Sequence, residues 1–344
     1  MSVAAKIETL RRTLGGRLTI MGHHYQHQSV INHTDLRGDS LELARKTAGV
    51  TSDFIVFCGV FFMAESAALL ARPGQTVCIP DPSADCSMAL MAPATRVRRM
   101  LELLGTNGRK IIPLAYVNSS LEVKAVVGEY GGAVCTSANA KTMLRWAMEQ
   151  GDAVLFLPDK CLGANTAKLL GVPEEAIMAL DIRADGKHID LAEADKAKLL
   201  LWPGHCCIHT RFTLEQMAAM RAAHPGARIV VHPESLPAIV DAADAAGSTS
   251  FIIDYVAKAK AGETIVIGTE VNLVKRLAVE HAGRVTVLPL LETECSHMAR
   301  TTEENLLELL ESIAAGKPLH VVQPDTALFA PAKAALERML TVCA

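Results

Sequence analysis

Three cysteines far apart in the sequence occupy similar positions, each a few residues beyond an apolar run typical of a buried strand. Cys86 ends QTVCIPDPSADC, Cys206 ends KLLLWPGHC, and Cys295 ends VTVLPLLETEC. Three thiolates with no fourth candidate suit a [4Fe–4S] cluster with one iron left open, because structural zinc prefers four protein ligands. Three unrelated buried thiols are the alternative. Cys206 also competes with its neighbour Cys207 for one ligand position.

The other cysteines do not supply a simpler metal site. The chain has nine cysteines, and this odd number without a secretory signal argues against a disulfide framework. No CxxC spacing occurs, which excludes zinc ribbons and thioredoxin-like motifs. Any metal site must therefore be built from ligands that are distant in sequence.

Polar residues of the acid–base type stand just beyond three other apolar runs. These residues are His23 with Tyr25, Tyr116 with Asn118, and His232 with Glu234. Histidine, tyrosine and carboxylate side chains that converge on one pocket can act as general acids and bases. The three pairs therefore favour a catalytic site.

A serine near the start of a predicted helix also occurs three times. The motifs are GDSLELA, CTSANA and GSTSFIIDYV, with Ser40, Ser137 and Ser248. A hydroxyl beside the unpaired N–H groups of a helix start can hold an anion, although any one of them alone is ordinary capping. Three in matching positions favour a substrate with several negative groups, such as a dicarboxylate or a phosphate ester.

A unit of alternating strands and helices that occurs three times must position these residues. Such alternation predicts parallel sheets with right-handed crossovers, and ligands gather at the carboxyl ends of their strands. We expect an α/β fold of three similar αβα modules in a pseudo-threefold arrangement around a central [4Fe–4S] site. The predicted modules are residues 1–90 completed by 300–344, residues 91–212, and residues 213–299. The charged segment 171–196 is predicted to be a surface excursion of the second module.

The composition agrees with a layered α/β protein and argues against other classes. Half of the 344 residues are hydrophobic but only 4% are aromatic, as expected for parallel strands covered on both faces. A net charge of −3 offers no basic field for nucleic acid. No apolar run reaches the ~18 residues of a membrane span, and the first residues have the pattern of an amphipathic helix. We expect a soluble, cytoplasmic protein without nucleic-acid or membrane partners.

In their order along the chain, the motifs resemble those of the quinolinate synthase family. They include GHHYQ, GDSLELA, DCSMA, AYVNSSLEVKA, CTSANA, GHCCIH, HPES, GSTSFIIDYV and CSHMARTT. The resemblance implies an enzyme of NAD biosynthesis that condenses iminoaspartate with dihydroxyacetone phosphate to quinolinate, phosphate and water. It also implies one [4Fe–4S] cluster per chain and a functional link to L-aspartate oxidase, the source of the unstable imine.

The resemblance further implies roles for individual residues. The cluster ligands would be Cys86, Cys206 and Cys295. Glu234 would abstract the proton that isomerises or enolises the triose phosphate, and Tyr25 and Tyr116 would serve later proton transfers, with His232 in the same catalytic set. The residues that contact the substrates would be His23, Ser40, Asn118, Ser137, Ser248 and Thr249.

Two alternatives share the metal centre but differ in function. One is another [4Fe–4S] hydro-lyase acting on a small carboxylate, which would not need helix starts that bind phosphate. The other is a non-catalytic iron–sulfur sensor, against which the convergent acid–base residues argue.

Overall fold

The computed structural model describes residues 1–344 as an α/β protein with three parallel sheets of four, five and four strands. The strands are β1 (Leu18–His23), β2 (Leu36–Gly38), β3 (Phe54–Cys58), β4 (Thr76–Cys78), β5 (Ile111–Tyr116), β6 (Ala133–Cys135), β7 (Ala153–Leu157), β8 (Ile177–Ala179), β9 (Leu199–Leu201), β10 (Arg228–Val231), β11 (Ala245–Ala246), β12 (Thr264–Gly268) and β13 (Thr286–Pro289). This architecture confirms the predicted fold class.

Sixteen α-helices connect and cover the strands. They are α1 (Val3–Leu14), α2 (Gln28–Ile31), α3 (Ser40–Gly49), α4 (Phe61–Leu70), α5 (Ser87–Leu90), α6 (Ala94–Leu104), α7 (Leu121–Glu129), α8 (Ala140–Gln150), α9 (Lys160–Leu169), α10 (Leu191–Ala194), α11 (Leu214–Ala223), α12 (Pro237–Ala242), α13 (Thr249–Lys258), α14 (Val271–Glu280), α15 (Glu303–Ala314) and α16 (Thr326–Val342). None of them combines the length and the apolar character that a membrane crossing requires.

The apolar runs become strands because helices cover both faces of the sheets. Every residue of β5 and of β7 is buried, as is typical of central strands in a parallel sheet. Aliphatic side chains fill these layers, in agreement with the low aromatic content of the chain.

The chain divides into two compact units. The first contains Met1–Cys86 and Ile253–Pro324, and the second contains Ser87–Ile252 and Asp325–Ala344. Helix α15 packs against α1 in the first unit, whereas α16 packs against α7 in the second. The boundaries of the three predicted modules, and their arrangement around one centre, stay predictions.

In the first unit, the order of the four-stranded sheet is β2-β1-β3-β4. Strand β1 pairs with β3 from Leu18 opposite Phe54 to Gly22 opposite Cys58. Strands β12 and β13 pair in parallel in the same unit. The carboxyl end of β1 is therefore His23, and that of β12 is followed directly by Thr269 and Glu270.

In the second unit, the order of the five-stranded sheet is β6-β5-β7-β9-β8, and β10 pairs with β11. Strand β5 ends at Tyr116, and β7 ends two residues before Asp159. Strand β9 leads to Cys206, and β10 leads directly to His232. Polar residues follow the carboxyl ends of these four strands, where parallel sheets gather ligands.

The segment 171–196 is more than the surface excursion predicted from its charges. It contains β8, which pairs in parallel with β9 from Ile177 opposite Leu199 to Ala179 opposite Leu201. Only three residues of the segment form this edge strand, and they are partly or fully exposed. Charged residues flank this short strand in the sequence, so its three apolar residues do not stand out as a strand pattern.

Candidate active site

A thiol, an imidazole and a carboxylate meet in the second unit. The ligand atoms of Cys206, His209 and Glu234 all lie within 4.8 Å of one another. The Nδ1 atom of His209 is 2.5 Å from the Oε2 atom of Glu234, and both side chains are almost fully buried. The loop after β9 supplies Cys206 and His209, and the loop after β10 supplies Glu234.

The two neighbouring cysteines of this loop have different environments. The Cys206 sulfur accepts hydrogen bonds from the backbone N–H groups of Ile208 and His209. Burial raises the pKa of the Cys206 thiol, and the Glu234 carboxylate raises it further. Cys207 is exposed, with its sulfur 3.7 Å from the Ser87 hydroxyl. Only Cys206 is thus part of the buried polar group, which favours it over Cys207 as a ligand.

Glu234 is held in its ionised form by its neighbours. Burial by itself raises the pKa of Glu234, but hydrogen bonds from His209 and Tyr116 lower it below its ordinary value. An ionised carboxylate can only accept, so the Nδ1 atom of His209 must carry the proton of their hydrogen bond. The Nε2 atom of His209 is then the nitrogen that can accept a proton.

His232 lies beside this pair as a neutral imidazole. Its ring stacks on that of His209 with the centroids 4.3 Å apart. Burial, together with His209, lowers the pKa of His232 to about 3. The backbone N–H of Glu234 donates to its Nδ1 atom at 3.4 Å. The structure therefore brings together four predicted residues of the second unit: Tyr116, Cys206, His232 and Glu234.

The sequence analysis did not single out His209. The only sequence clue was its position three residues after Cys206 in GHCCIH. Its contact with Glu234 joins two loops and could not be inferred from that spacing.

In the first unit, His23 and Tyr25 are in contact after β1. The backbone N–H of Tyr25 donates to the Nδ1 atom of His23 at 3.1 Å, and the two rings meet edge to face at 4.7 Å. The Tyr25 hydroxyl lies 2.8 Å from the Thr269 hydroxyl. Strands β1 and β12 thus fix the position of this phenol, and Thr269 is a further site residue that the sequence analysis missed.

The other two predicted ligand cysteines also belong to the first unit, and both are partly buried. The backbone N–H of Cys86 donates to Asp85 Oδ1 at 2.7 Å, and that of Cys295 donates to Glu270 Oε1 at 3.4 Å. Burial raises the pKa of Glu270 to about 7. Each of these cysteines is therefore attached to a carboxyl group through its main chain.

The three predicted serines differ in their relation to the helices. Ser40 is the first residue of α3, and the carboxylate of the preceding Asp39 caps that helix. Ser137 lies in a turn before α8 rather than at its first residue. The Ser248 hydroxyl accepts the backbone N–H of Phe251 at the start of α13.

The remaining two predicted substrate contacts follow the same strands and helices. Thr249 is the first residue of α13 and is buried. Asn118 follows β5, and its Oδ1 atom is buried without a hydrogen-bond partner. Since buried polar atoms are normally paired, this amide oxygen is suited to a bound ligand.

Most of the other cysteines are structural. None of the nine forms a disulfide. Burial raises the pKa of Cys58, Cys78 and Cys161 to about 12, and Cys135 is also fully buried. Buried free cysteines in apolar surroundings usually pack as small hydrophobic side chains.

Comparisons with known proteins agree over nearly the whole chain. The sequence profile described as "Quinolinate synthetase A protein" matches residues 5–341. Quinolinate synthase of Corynebacterium glutamicum is 43% identical over 341 residues, which cover 98% of this chain and 86% of that protein. Quinolinate synthase of Streptomyces coelicolor is 41% identical over 99% of this chain and 88% of its own. Quinolinate synthase of Herpetosiphon aurantiacus is 42% identical over 98% of this chain and 92% of its own.

Proposed function

The chain belongs to the quinolinate synthase family, and on this premise we propose that it condenses iminoaspartate with dihydroxyacetone phosphate to quinolinate, phosphate and water. Family membership makes it an enzyme of NAD biosynthesis, so a non-catalytic sensor is no longer an alternative. The observation that carries the proposal is the buried contact of Glu234 with His209 beside Cys206. No contact described above favours a different hydro-lyase.

The proposed cofactor is one [4Fe–4S] cluster per chain, with Cys86, Cys206 and Cys295 as ligands. The donor set fits, because iron–sulfur clusters are held by thiolates and the Cys206 sulfur already accepts two backbone N–H bonds. When bound, the cluster supplies a Lewis-acidic iron that can activate a hydroxyl or carboxylate oxygen for elimination.

Glu234 is the proposed base for proton abstraction from the triose phosphate. Its lowered pKa keeps the carboxylate ionised at neutral pH, and the hydrogen bond from His209 at 2.5 Å holds it in place. Tyr116 donates to the same carboxylate, which holds its phenol close for a later transfer. Tyr25, fixed by Thr269, is the proposed second phenol, and neutral His232 orients the Glu234 loop.

The substrates carry carboxylate and phosphate groups that need neutral or positive partners. We assign their binding to hydroxyl, amide and imidazole groups at strand ends and helix starts. These groups belong to His23, Ser40, Asn118, Ser137, Ser248 and Thr249. Iminoaspartate is unstable in water, so L-aspartate oxidase is the proposed functional partner that supplies it. The cytoplasmic location stays a prediction.

The test is anaerobic reconstitution followed by an assay with dihydroxyacetone phosphate and iminoaspartate, generated in place from aspartate by the oxidase. We expect quinolinate, identified by chromatography and its pyridine absorbance, together with one phosphate released per turnover. A protein that holds an intact cluster but forms no pyridine dicarboxylate would refute the proposed function. Omission of the triose phosphate serves as the control.

A further inference from the structure

The same main-chain hydrogen bond recurs before each of the three ligand cysteines. In every repeat, the first residue of the helix after the third strand donates its N–H to the carbonyl two residues before the cysteine. The three bonds are Phe61 to Ala84 at 2.7 Å, Lys160 to Gly204 at 2.9 Å, and Val271 to Thr293 at 3.0 Å. Helices α4, α9 and α14 thus fasten the cysteine loops in the same way.

A carboxyl group also lies at the backbone N–H of each cysteine. Asp85 accepts from Cys86 at 2.7 Å, Glu270 accepts from Cys295 at 3.4 Å, and Asp159 lies next to the N–H of Cys206. Asp85 is simply the preceding residue. Asp159 and Glu270 are distant in sequence from their cysteines, and both are the capping residues of the helices that fasten the loops.

Asp159 joins two loops of the second unit. Its Oδ1 atom accepts the backbone N–H groups of Cys161 at 2.7 Å and of Leu162 at 3.0 Å, which caps α9. Its side chain is fully buried, its Oδ2 atom has no hydrogen-bond partner, and its carboxyl group lies next to the N–H of Cys206. The loop that carries Cys206 is attached to α9 by the main-chain bond from Lys160 to Gly204, and the Asp159 side chain lies against this loop.

Glu270 has the matching position in the first unit. Its Oε2 atom accepts the backbone N–H of Asn272 at 2.8 Å, and its Oε1 atom accepts the Asn272 amide at 2.9 Å. The same Oε1 atom receives the N–H of Cys295, and the Asn272 amide also donates to Glu294 at 3.1 Å. Glu270 is fully buried as well.

Helix capping does not by itself require a buried carboxyl group. Asp190 and Asp325 cap α10 and α16 with the same type of hydrogen bond and are exposed, whereas Asp39 caps α3 and is buried. Burial of a carboxyl group is unfavourable unless its hydrogen bonds compensate the lost hydration. Asp159 and Glu270 differ from these three caps because each lies at the backbone N–H of a predicted ligand cysteine.

We propose that Asp159 and Glu270 are positioning residues that fix Cys206 and Cys295 for the iron–sulfur cluster. This inference rests on the proposed function, because it requires these cysteines to be ligands. Groups that orient metal ligands contribute to metal retention without touching the metal, and their loss typically weakens binding about 10- to 100-fold. Neither residue needs to contact the substrate.

The experiment separates capping from positioning. Serine is a good cap but is too short to cap the helix and also reach the cysteine loop. The variants Asp159→Asn and Glu270→Gln keep one accepting oxygen, and in Glu270→Gln this oxygen can still accept from Cys295 while the bond from the Asn272 N–H is lost. Asp325→Ser makes the same exchange at a helix without a ligand cysteine. For each anaerobically purified variant, the iron and sulfide content, the EPR spectrum of the reduced cluster and the rate of iron transfer to a chelator are measured.

We expect Asp159→Ser and Glu270→Ser to release iron about 10- to 100-fold faster with altered EPR spectra, while the amide variants and Asp325→Ser resemble the wild type. Serine variants with the wild-type rate and spectrum, or a control that loses iron equally fast, would overturn the inference. If circular dichroism shows that one serine variant is unfolded, the iron release and the EPR spectrum of the other serine variant test the inference. A wild type without iron and sulfide would instead refute the proposed function.

Discussion

The exchange of Glu234 for glutamine removes the proposed base with little change of shape. The amide oxygen can still accept from His209, but the group can no longer be ionised. Loss of a general base lowers turnover about 10²- to 10⁴-fold, equivalent to about 3–5 kcal/mol of transition-state free energy. We expect kcat for quinolinate formation to fall by that factor, with the wild-type iron and sulfide content retained.

The stability of the same variant distinguishes catalysis from structure. A hydrogen bond to a charged group contributes about 1.5–3 kcal/mol and a neutral one about 0.5–1.5 kcal/mol, so the two bonds at Glu234 become weaker. The glutamine variant no longer buries a charge, and the removal of that desolvation cost offsets the loss. We therefore expect the free energy of unfolding in urea to change by only about 1–2 kcal/mol.

The assay is the initial rate of quinolinate formation under anaerobic conditions, with Glu308→Gln on the exposed surface of α15 as the matched control. A Glu234→Gln enzyme with turnover within about threefold of the wild type would refute the assignment of Glu234 as the base. Loss of the cluster from this variant would instead show that the residue is structural.

Three further predictions concern the cysteine pair and the N-terminal helix. Cys206→Ala is expected to lose the cluster and Cys207→Ala to retain it, as an iron and sulfide count will show; the reverse result would contradict the ligand assignment. His33 is buried, and its ring nitrogens lie 2.9 Å from Glu8 and 2.8 Å from Glu303. We expect His33→Ala to lower the free energy of unfolding in urea by about 2–3 kcal/mol. Two fully buried charged hydrogen bonds would contribute more, but Glu8 is half-exposed. The hydrogen bond from His33 lowers the pKa of Glu8 below 4.5, so this stabilisation is present above pH 4.5 and is lost as the pH falls further. The difference in unfolding free energy between wild type and His33→Ala should shrink below that pH, and a constant difference would exclude this ion pair as its source.

Features of the fold that depend on local pattern were predictable from the sequence. Buried apolar runs alternate with helical segments, and this alternation correctly gave an α/β protein with three parallel sheets. It also placed polar residues at or near the carboxyl ends of strands, since β1 ends at His23 and β5 at Tyr116. Periodicity carries this information because each strand must bury its own side chains.

Contacts between distant loops were not predictable in the same way. The His209–Glu234 contact and the position of Asp159 beside the Cys206 N–H depend on how loops after different strands meet. In the sequence, Glu270 resembles any acidic residue at the start of a helix. Its hydrogen bond from Cys295 is visible only in the structure. Such contacts depend on loop geometry, which the spacing of residue types does not encode.

Metal analysis of four proteins tests the central claim most directly. Anaerobically purified wild-type protein is expected to contain about four irons and four sulfides per chain, with the EPR signal of a reduced [4Fe–4S] cluster. Cys86→Ala, Cys206→Ala and Cys295→Ala should each fail to retain that cluster. A wild type without iron and sulfide, or any one of these variants with a full and spectroscopically unchanged cluster, would contradict the account.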